Sequence, residues 1–196
     1  MDNELRALLD ELARVGREHD KRETDHAKKM LNLEPETAAL VHLLLRSSRR
    51  RNVLEIGTSN GYSTLWLAAA VRETGGRVAS IDRSASKHRL AEENLRRGKL
   101  RDLVDLHLGE ATEVVGRLEG TFDCLFFDAD RVSAPAQLEK LLPMLSADVL
   151  LLADNALSHP AEISAYLTAI SSRNEFEAIV VPIGKGLSVA HRFEAR

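Results

Sequence analysis

The sequence predicts a doubly wound α/β fold: a mostly parallel sheet of about seven strands, one of them antiparallel, with extra helices at the N-terminus. Three observations carry this reading. From residue 52 onward, short apolar runs alternate with segments of helical spacing. The connections are short, which makes successive strands parallel through right-handed crossovers. The last two apolar runs are separated only by Pro182-Ile183-Gly184-Lys185-Gly186. They therefore pair antiparallel, and one strand runs against the rest.

Composition bounds the rest. The chain has 196 residues, 27 Lys plus Arg against 30 Asp plus Glu, a net charge of −3 and 44% hydrophobic residues. That predicts one domain of ordinary size, with 1–46 as N-terminal helices and 52–196 as the α/β core. The charge balance excludes a strongly basic nucleic-acid binder. The single cysteine, Cys124, has no partner for an internal disulfide, so a reducing, cytoplasmic setting is expected. Met1-Asp2-Asn3-Glu4 lacks the basic-then-apolar pattern of a signal peptide. Apolar runs such as Leu65 to Val71 are too short to span a bilayer.

In order, Leu5, Leu8, Leu9, Leu12 and Val15 form one stripe of a first helix, capped by Asp2 or Asn3. That stripe covers the core or meets a second subunit. Residues 16–30 are highly charged and read as a solvated connection. Pro35 opens a second helix over 36–45. Arg49-Arg50-Arg51 reads as a solvated turn. Strands are expected at 52–56, 77–81, 104–108, 122–127, 149–153, 176–181 and 187–191, and helices at 63–72, 84–97, 111–118, 135–145 and 161–172. Trp66 and Cys124 read as core residues.

Ligands of such sheets bind at the carboxyl ends of the strands. The first end reads Glu55-Ile56-Gly57-Thr58-Ser59-Asn60-Gly61-Tyr62-Ser63. Its two glycines allow a tight turn and close approach of a ligand. The spacing matches neither the dinucleotide fingerprint nor the phosphate-cradling P-loop. Glu55 would repel a pyrophosphate and suits a ligand carrying an ammonium and a sulfonium. The second strand ends at Asp82, a carboxylate for ribose hydroxyls or a helix cap. The third ends in Leu108-Gly109-Glu110-Ala111, a small-residue step on which an adenine can lie. Asp128 ends the fourth strand, and Asp154 with Asn155 ends the fifth. Parallel neighbours lie roughly 5 Å apart, so these side chains can converge. Two carboxylates and an amide oxygen make a hard donor set suited to Mg²⁺.

The turn from Val53 to Ser63, Phe127-Asp128-Ala129-Asp130, Ala153-Asp154-Asn155, Pro182 to Leu187 and Leu31-Asn32-Leu33-Glu34-Pro35-Glu36 resemble the cation-dependent S-adenosylmethionine O-methyltransferases, the family of catechol and caffeoyl-CoA O-methyltransferases. The resemblance runs from about Leu31 to Arg192. It implies a Rossmann-like class I methyltransferase domain. It also implies methyl transfer to a hydroxyl of a small, vicinal-dihydroxy aromatic substrate, assisted by a divalent cation, usually Mg²⁺. By position, Glu55, Gly57, Ser59, Tyr62 and Ser63 would surround the methionine part of the donor. Asp82 would hold the ribose, Glu110 and Ala111 would border the adenine, and Leu33, Gly61, Arg83 and Asp128 would complete the donor site. Asp128, Asp154 and Asn155 would hold the cation. Related enzymes are commonly homodimers, so a homodimer is expected, with neither nucleic acid nor membrane as partner.

The chain departs from the family where a lysine usually serves as base after the Asp-x-Asp step. Here Arg131 stands, and arginine keeps its proton. It grips a substrate carboxylate or phosphate, or makes a surface ion pair. His159 is the replacement base or a helix-start residue beside Pro160, and His26 is a weaker candidate base. Val132-Ser133-Ala134-Pro135 lacks the family's polar and tyrosine residues, so a catechol is only the default substrate. The competing readings are a metal-independent small-molecule methyltransferase and a non-catalytic adenosine-ligand-binding domain.

Overall fold

A computed structural model describes residues 1–192. The strands are β1 (Asn52–Ile56), β2 (Arg77–Asp82), β3 (Val104–Leu108), β4 (Phe122–Phe127), β5 (Leu145–Ala153), β6 (Glu177–Val181) and β7 (Leu187–Arg192). They form one seven-stranded sheet in the order β3-β2-β1-β4-β5-β7-β6. All neighbours from β3 to β5 are parallel, and β7 runs antiparallel to both β5 and β6. The expected doubly wound sheet with one reversed strand is therefore found.

The helices are α1 (Asn3–Arg22), α2 (Pro35–Ser47), α3 (Tyr62–Arg72), α4 (Ala85–Arg97), α5 (Ala111–Val114), α6 (Ala134–Leu141) and α7 (Pro160–Ser171). Side chains alternate across the pleat, so the central strands supply two cores. Val53, Val78, Cys124 and Leu152 pack under α1 to α4, and Leu54, Ile81, Leu125 and Leu151 pack under α5 to α7. Helices on both faces explain why the strands read as continuous apolar runs.

Several local expectations change. The first helix does not stop near residue 15 but runs to Arg22, where residues 16–30 were expected to be a connection. Its charged second half has a solvated face, with Arg14 and Glu18 paired at 3.2 Å. Gly16 is buried because a Cβ there would lie 2.4 Å from the Asn32 amide. The apolar stripe turns toward Ala13 and Gly16, leaving Val15 45% exposed. Leu5, Leu8, Leu9 and Leu12 are buried in this chain's own core, so that stripe covers the core. Asp2 is the cap, its Oδ1 accepting from the Leu5 amide at 2.9 Å.

The helix expected over 135–145 ends at Leu141 and passes into a 3-10 turn, Leu142–Met144. Pro143 brings no amide hydrogen to continue it, and β5 begins at Leu145 rather than at 149. The helix expected over 111–118 is one α turn followed by the 3-10 turn Val115–Arg117. The arginine turn is not solvated throughout. Arg50 is buried, with Nη1 2.8 Å from Asp148 Oδ1.

Leu9 is 2% exposed and packs α1 into the core that it shares with α3. Leu9→Ala is expected to cost about 2–5 kcal/mol, read as a lower urea midpoint that does not depend on protein concentration. An unchanged midpoint would contradict a core role for α1.

Candidate active site

The carboxyl ends of β1, β2, β4 and β5 meet because the parallel ladder continues past the strands. The Asp128 amide donates to Ile56 O at 2.9 Å and the Asp154 amide to Phe127 O at 3.0 Å. The Gly57 amide donates to Ile81 O at 2.9 Å, and the Gly109 amide donates to Asp82 O at 2.9 Å. These steps bring the turn after each strand onto one cavity of about 640 Å³.

The β1 turn has a buried hub. Glu55 is 0% exposed, and its carboxylate accepts from Ser63 Oγ, Thr64 Oγ1 and Ser80 Oγ, each at 2.5 Å. Burial pushes the Glu55 carboxyl above its ordinary pKa, and the three hydroxyls offset only part of that. Two bonds tie β1 to the first turn of α3, and the third ties it to β2. Glu55 does not line the cavity, nor does Gly61. The sequence reading put both in contact with the donor. Glu55 instead spends its acceptors inside the protein, and Gly61 packs against Ala91.

The remaining donor-site candidates do line the cavity: Leu33, Gly57, Ser59, Tyr62, Ser63, Asp82, Arg83, Glu110, Ala111 and Asp128. Gly57 has φ +114°, and a Cβ there would lie 2.2 Å from the Asp128 carbonyl oxygen. Asp82 combines two roles. Its Oδ2 accepts from the Ser59 amide and its Oδ1 from the Ser84 amide, both at 2.8 Å. Each carboxylate oxygen keeps further lone-pair capacity toward the cavity. Three non-glycine residues with left-handed backbone, Leu31, Ser59 and Asn155, line the same cavity. Strain of this kind persists where surrounding structure fixes it, commonly around ligand sites. Ser59 is held by its hydroxyl, which donates to Met30 O at 2.6 Å.

At the other end stand Asp128, Asp154 and Asn155. Asp154 is 3% exposed, and its Oδ1 has no hydrogen-bond partner, while Oδ2 accepts from Asn155 Nδ2 at 2.7 Å. Burial, then the neighbouring Asp154, raise the Asp128 carboxyl well above the usual carboxylate range. Burial, then Glu34, raise Asp154, against the Asn155 backbone. Among the described residues no three His, Cys, Asp or Glu side chains form a group that could hold a metal ion, and the ends of β4 and β5 offer two carboxylates and an amide to the cavity. An orphaned, buried carboxylate oxygen beside a second carboxylate fits a hard divalent cation.

Both catalytic candidates, Arg131 and His159, line the cavity. Arg131 is held by Glu162, with Nη2 at 2.8 Å and Nε at 3.0 Å from Oε2. That is the ion-pair alternative, and it occupies one edge of the guanidinium. His159 is exposed at the start of α7, before Pro160, and its Nδ1 lies 2.9 Å from Ser158 Oγ. His26 also lines the cavity. The sequence reading assigned no role to Lys185 or Glu34. Lys185 Nζ lies 2.7 Å from Glu34 Oε1, and Lys185 lines the cavity beside Asn155. The Gly-Lys-Gly spacing was the available signal.

Gly57→Ala is expected to lower thermal stability and to weaken binding of S-adenosylhomocysteine by at least about tenfold, measured by calorimetry. Native affinity would contradict the close approach at Asp128. For Glu55, the folded pKa lies above the unfolded one. Its favourable contribution is thus complete below the unfolded value and lost as pH rises through the folded value. Glu55→Gln should therefore gain stability relative to the native chain between pH 4 and pH 8, in urea titrations at each pH. A difference that does not vary with pH would contradict the burial cost.

Comparison with known proteins agrees with this arrangement. A family model described as a methyltransferase domain matches residues 54–156, which run from β1 past Asp154 and Asn155. A catechol O-methyltransferase of Niastella koreensis is 28% identical over 131 residues, covering 65% of this chain and 59% of that protein. One from Mycobacterium tuberculosis is 32% identical over 116 residues, covering 59% and 52%. The alignments thus span between half and three-fifths of these two relatives. The solved O-methyltransferase TomG of Streptomyces achromogenes, involved in tomaymycin synthesis and bound to S-adenosylmethionine, superposes with a TM-score of 0.81 at 25% identity. That match covers 99% of this chain and 91% of TomG. From strand ends, cavity and matches alike, the chain belongs to the methyltransferase domain family, and the relatives it resembles include proteins named catechol and caffeoyl-CoA O-methyltransferase.

Proposed function

We propose that the chain is one methyltransferase domain that transfers a methyl group from S-adenosylmethionine to a hydroxyl of a small vicinal-dihydroxy aromatic compound, with a divalent cation assisting. The observation that carries this reading is the opening of the Gly57 turn, Asp82 and the Asp128–Asp154–Asn155 set onto one cavity. Among the described residues no helix is long and apolar enough to cross a membrane. A cytoplasmic location and a homodimer remain part of the proposal.

The chemistry divides between donor, cation and side chains. The donor supplies an activated methyl on a sulfonium. A cation held by Asp128, Asp154 and Asn155 would lower the pKa of a bound phenol from about 10. The chain's own residues orient and exchange protons. Ser59 and Asp82 hold the turn against which the nucleoside lies. Asn155 keeps Asp154 turned by its amide. Arg131, charged and paired with Glu162, does not take a proton. His159 Nε2 is the available acceptor, since Nδ1 is engaged by Ser158. The substrate oxygen gives its proton to His159 and attacks the methyl carbon, and the carbon–sulfur bond breaks to leave a neutral thioether. Alignment supplies much of the rate.

With labelled donor and a 1,2-dihydroxybenzene, thorough EDTA treatment is expected to abolish methyl transfer and Mg²⁺ to restore it. Activity that survives chelation would leave the metal-independent transferase. His159→Ala is expected to lower turnover by about 10²-fold with the donor KM unchanged. A native rate would clear His159 of proton transfer.

A further inference from the structure

The pair formed by Glu34 and Lys185 lies beside the cation set and has no part in the function proposed above. Glu34 precedes α2, and Lys185 sits in the turn between β6 and β7, 151 positions later. Two contacts bring them together. The 156–158 loop is bolted to that turn, with the Ala156 amide donating to Gly186 O and the Leu157 amide to Lys185 O, both at 2.9 Å. Gly184 meets the start of α2 so closely that a Cβ would lie 2.4 Å from Thr37 Oγ1 and 3.0 Å from Glu34 Oε2. Lys185 Nζ then reaches Glu34 Oε1 at 2.7 Å.

The charges have a simple balance. Glu34, Asp128 and Asp154 bring three carboxylates and Lys185 one ammonium, leaving two negative charges, the complement of one divalent cation. The ammonium also feels both aspartates. Burial pulls Lys185 down, but Glu34, then Asp154 and Asp128, hold it above the ordinary lysine pKa. On the cavity that Lys185 also lines, the buried, unpartnered Asp154 Oδ1 is a charged, uncompensated acceptor open to a flexible lysine stem released from Glu34.

We propose that Glu34 is a positioning residue that holds the Lys185 ammonium off Asp128 and Asp154, keeping that pair open to a divalent cation. The role rests on the cation reading of the site. Without Glu34 the ammonium becomes an internal competitor. Without Lys185 the site carries one more negative charge and binds cations more tightly. The two substitutions therefore act in opposite directions, which a merely structural ion pair would not do.

The test is titration of the whole protein with Mn²⁺, with free ion read by electron paramagnetic resonance and folding checked by thermal melts. Glu34→Gln is expected to weaken Mn²⁺ by about tenfold or more. Lys185→Met is expected to tighten it, and the double variant, with the native charge balance, to return within about threefold of the native value. Native affinity in Glu34→Gln, or weakening by both single substitutions, would overturn the role of Glu34 while leaving the cation site standing. If Glu34→Gln does not fold, the signs for Lys185→Met and the double variant decide. No Mn²⁺ binding by the native protein would overturn the cation reading and this inference with it.

Discussion

The site depends on a carboxylate that never meets solvent. Glu55 sits in the middle of the sheet, where an ionised group is costly to bury, and three hydroxyls from α3 and β2 surround it. Those bonds set where α3 begins relative to β1 and β2, and hence the path of the backbone between Ile56 and Tyr62. Only with that path fixed can Gly57 pass against the Asp128 carbonyl, and only then do the carboxyl ends of β1 and β4 share one cavity. The hub shapes the cavity without lining it.

From the hub outward, charge is arranged by distance. The end of the cavity beside β2 and β3 carries Asp82 and Glu110, and the Asp82 oxygens already organise the turn through two amides. The far end concentrates Asp128 and Asp154, whose burial resists ionisation. A positively charged methyl donor and a divalent cation would otherwise repel each other in one crevice. Separate carboxylates at successive strand ends answer that problem, and the parallel ladder keeps them apart at fixed spacing.

Much of this was legible in the chain. Short continuous apolar runs ending in Gly57, Asp82, Gly109, Asp128 and Asp154 point to strand ends because parallel strands buried on both faces read that way. The turn between β6 and β7 announces the reversed strand. What stayed hidden was set by tertiary contact. Nothing local distinguishes Glu55 as a ligand contact from Glu55 as a buried hub, since the hydroxyls of Ser63, Thr64 and Ser80 decide it. Val15 and Gly16 both continue a helical stripe, and the tight contact with Asn32 selects the glycine. The Glu34–Lys185 pair joins residues far apart in the chain, brought together where Gly184 closes on the start of α2.

The most direct measurement is a crystal soaked with Mn²⁺ and S-adenosylhomocysteine, with the ion located by anomalous scattering. The account expects one manganese peak bounded by Asp128, Asp154 and Asn155, and a nucleoside whose ribose hydroxyls meet Asp82 in the same cavity. An ion bound elsewhere, or a nucleoside outside the crevice between the Gly57 turn and Asp128, would contradict it.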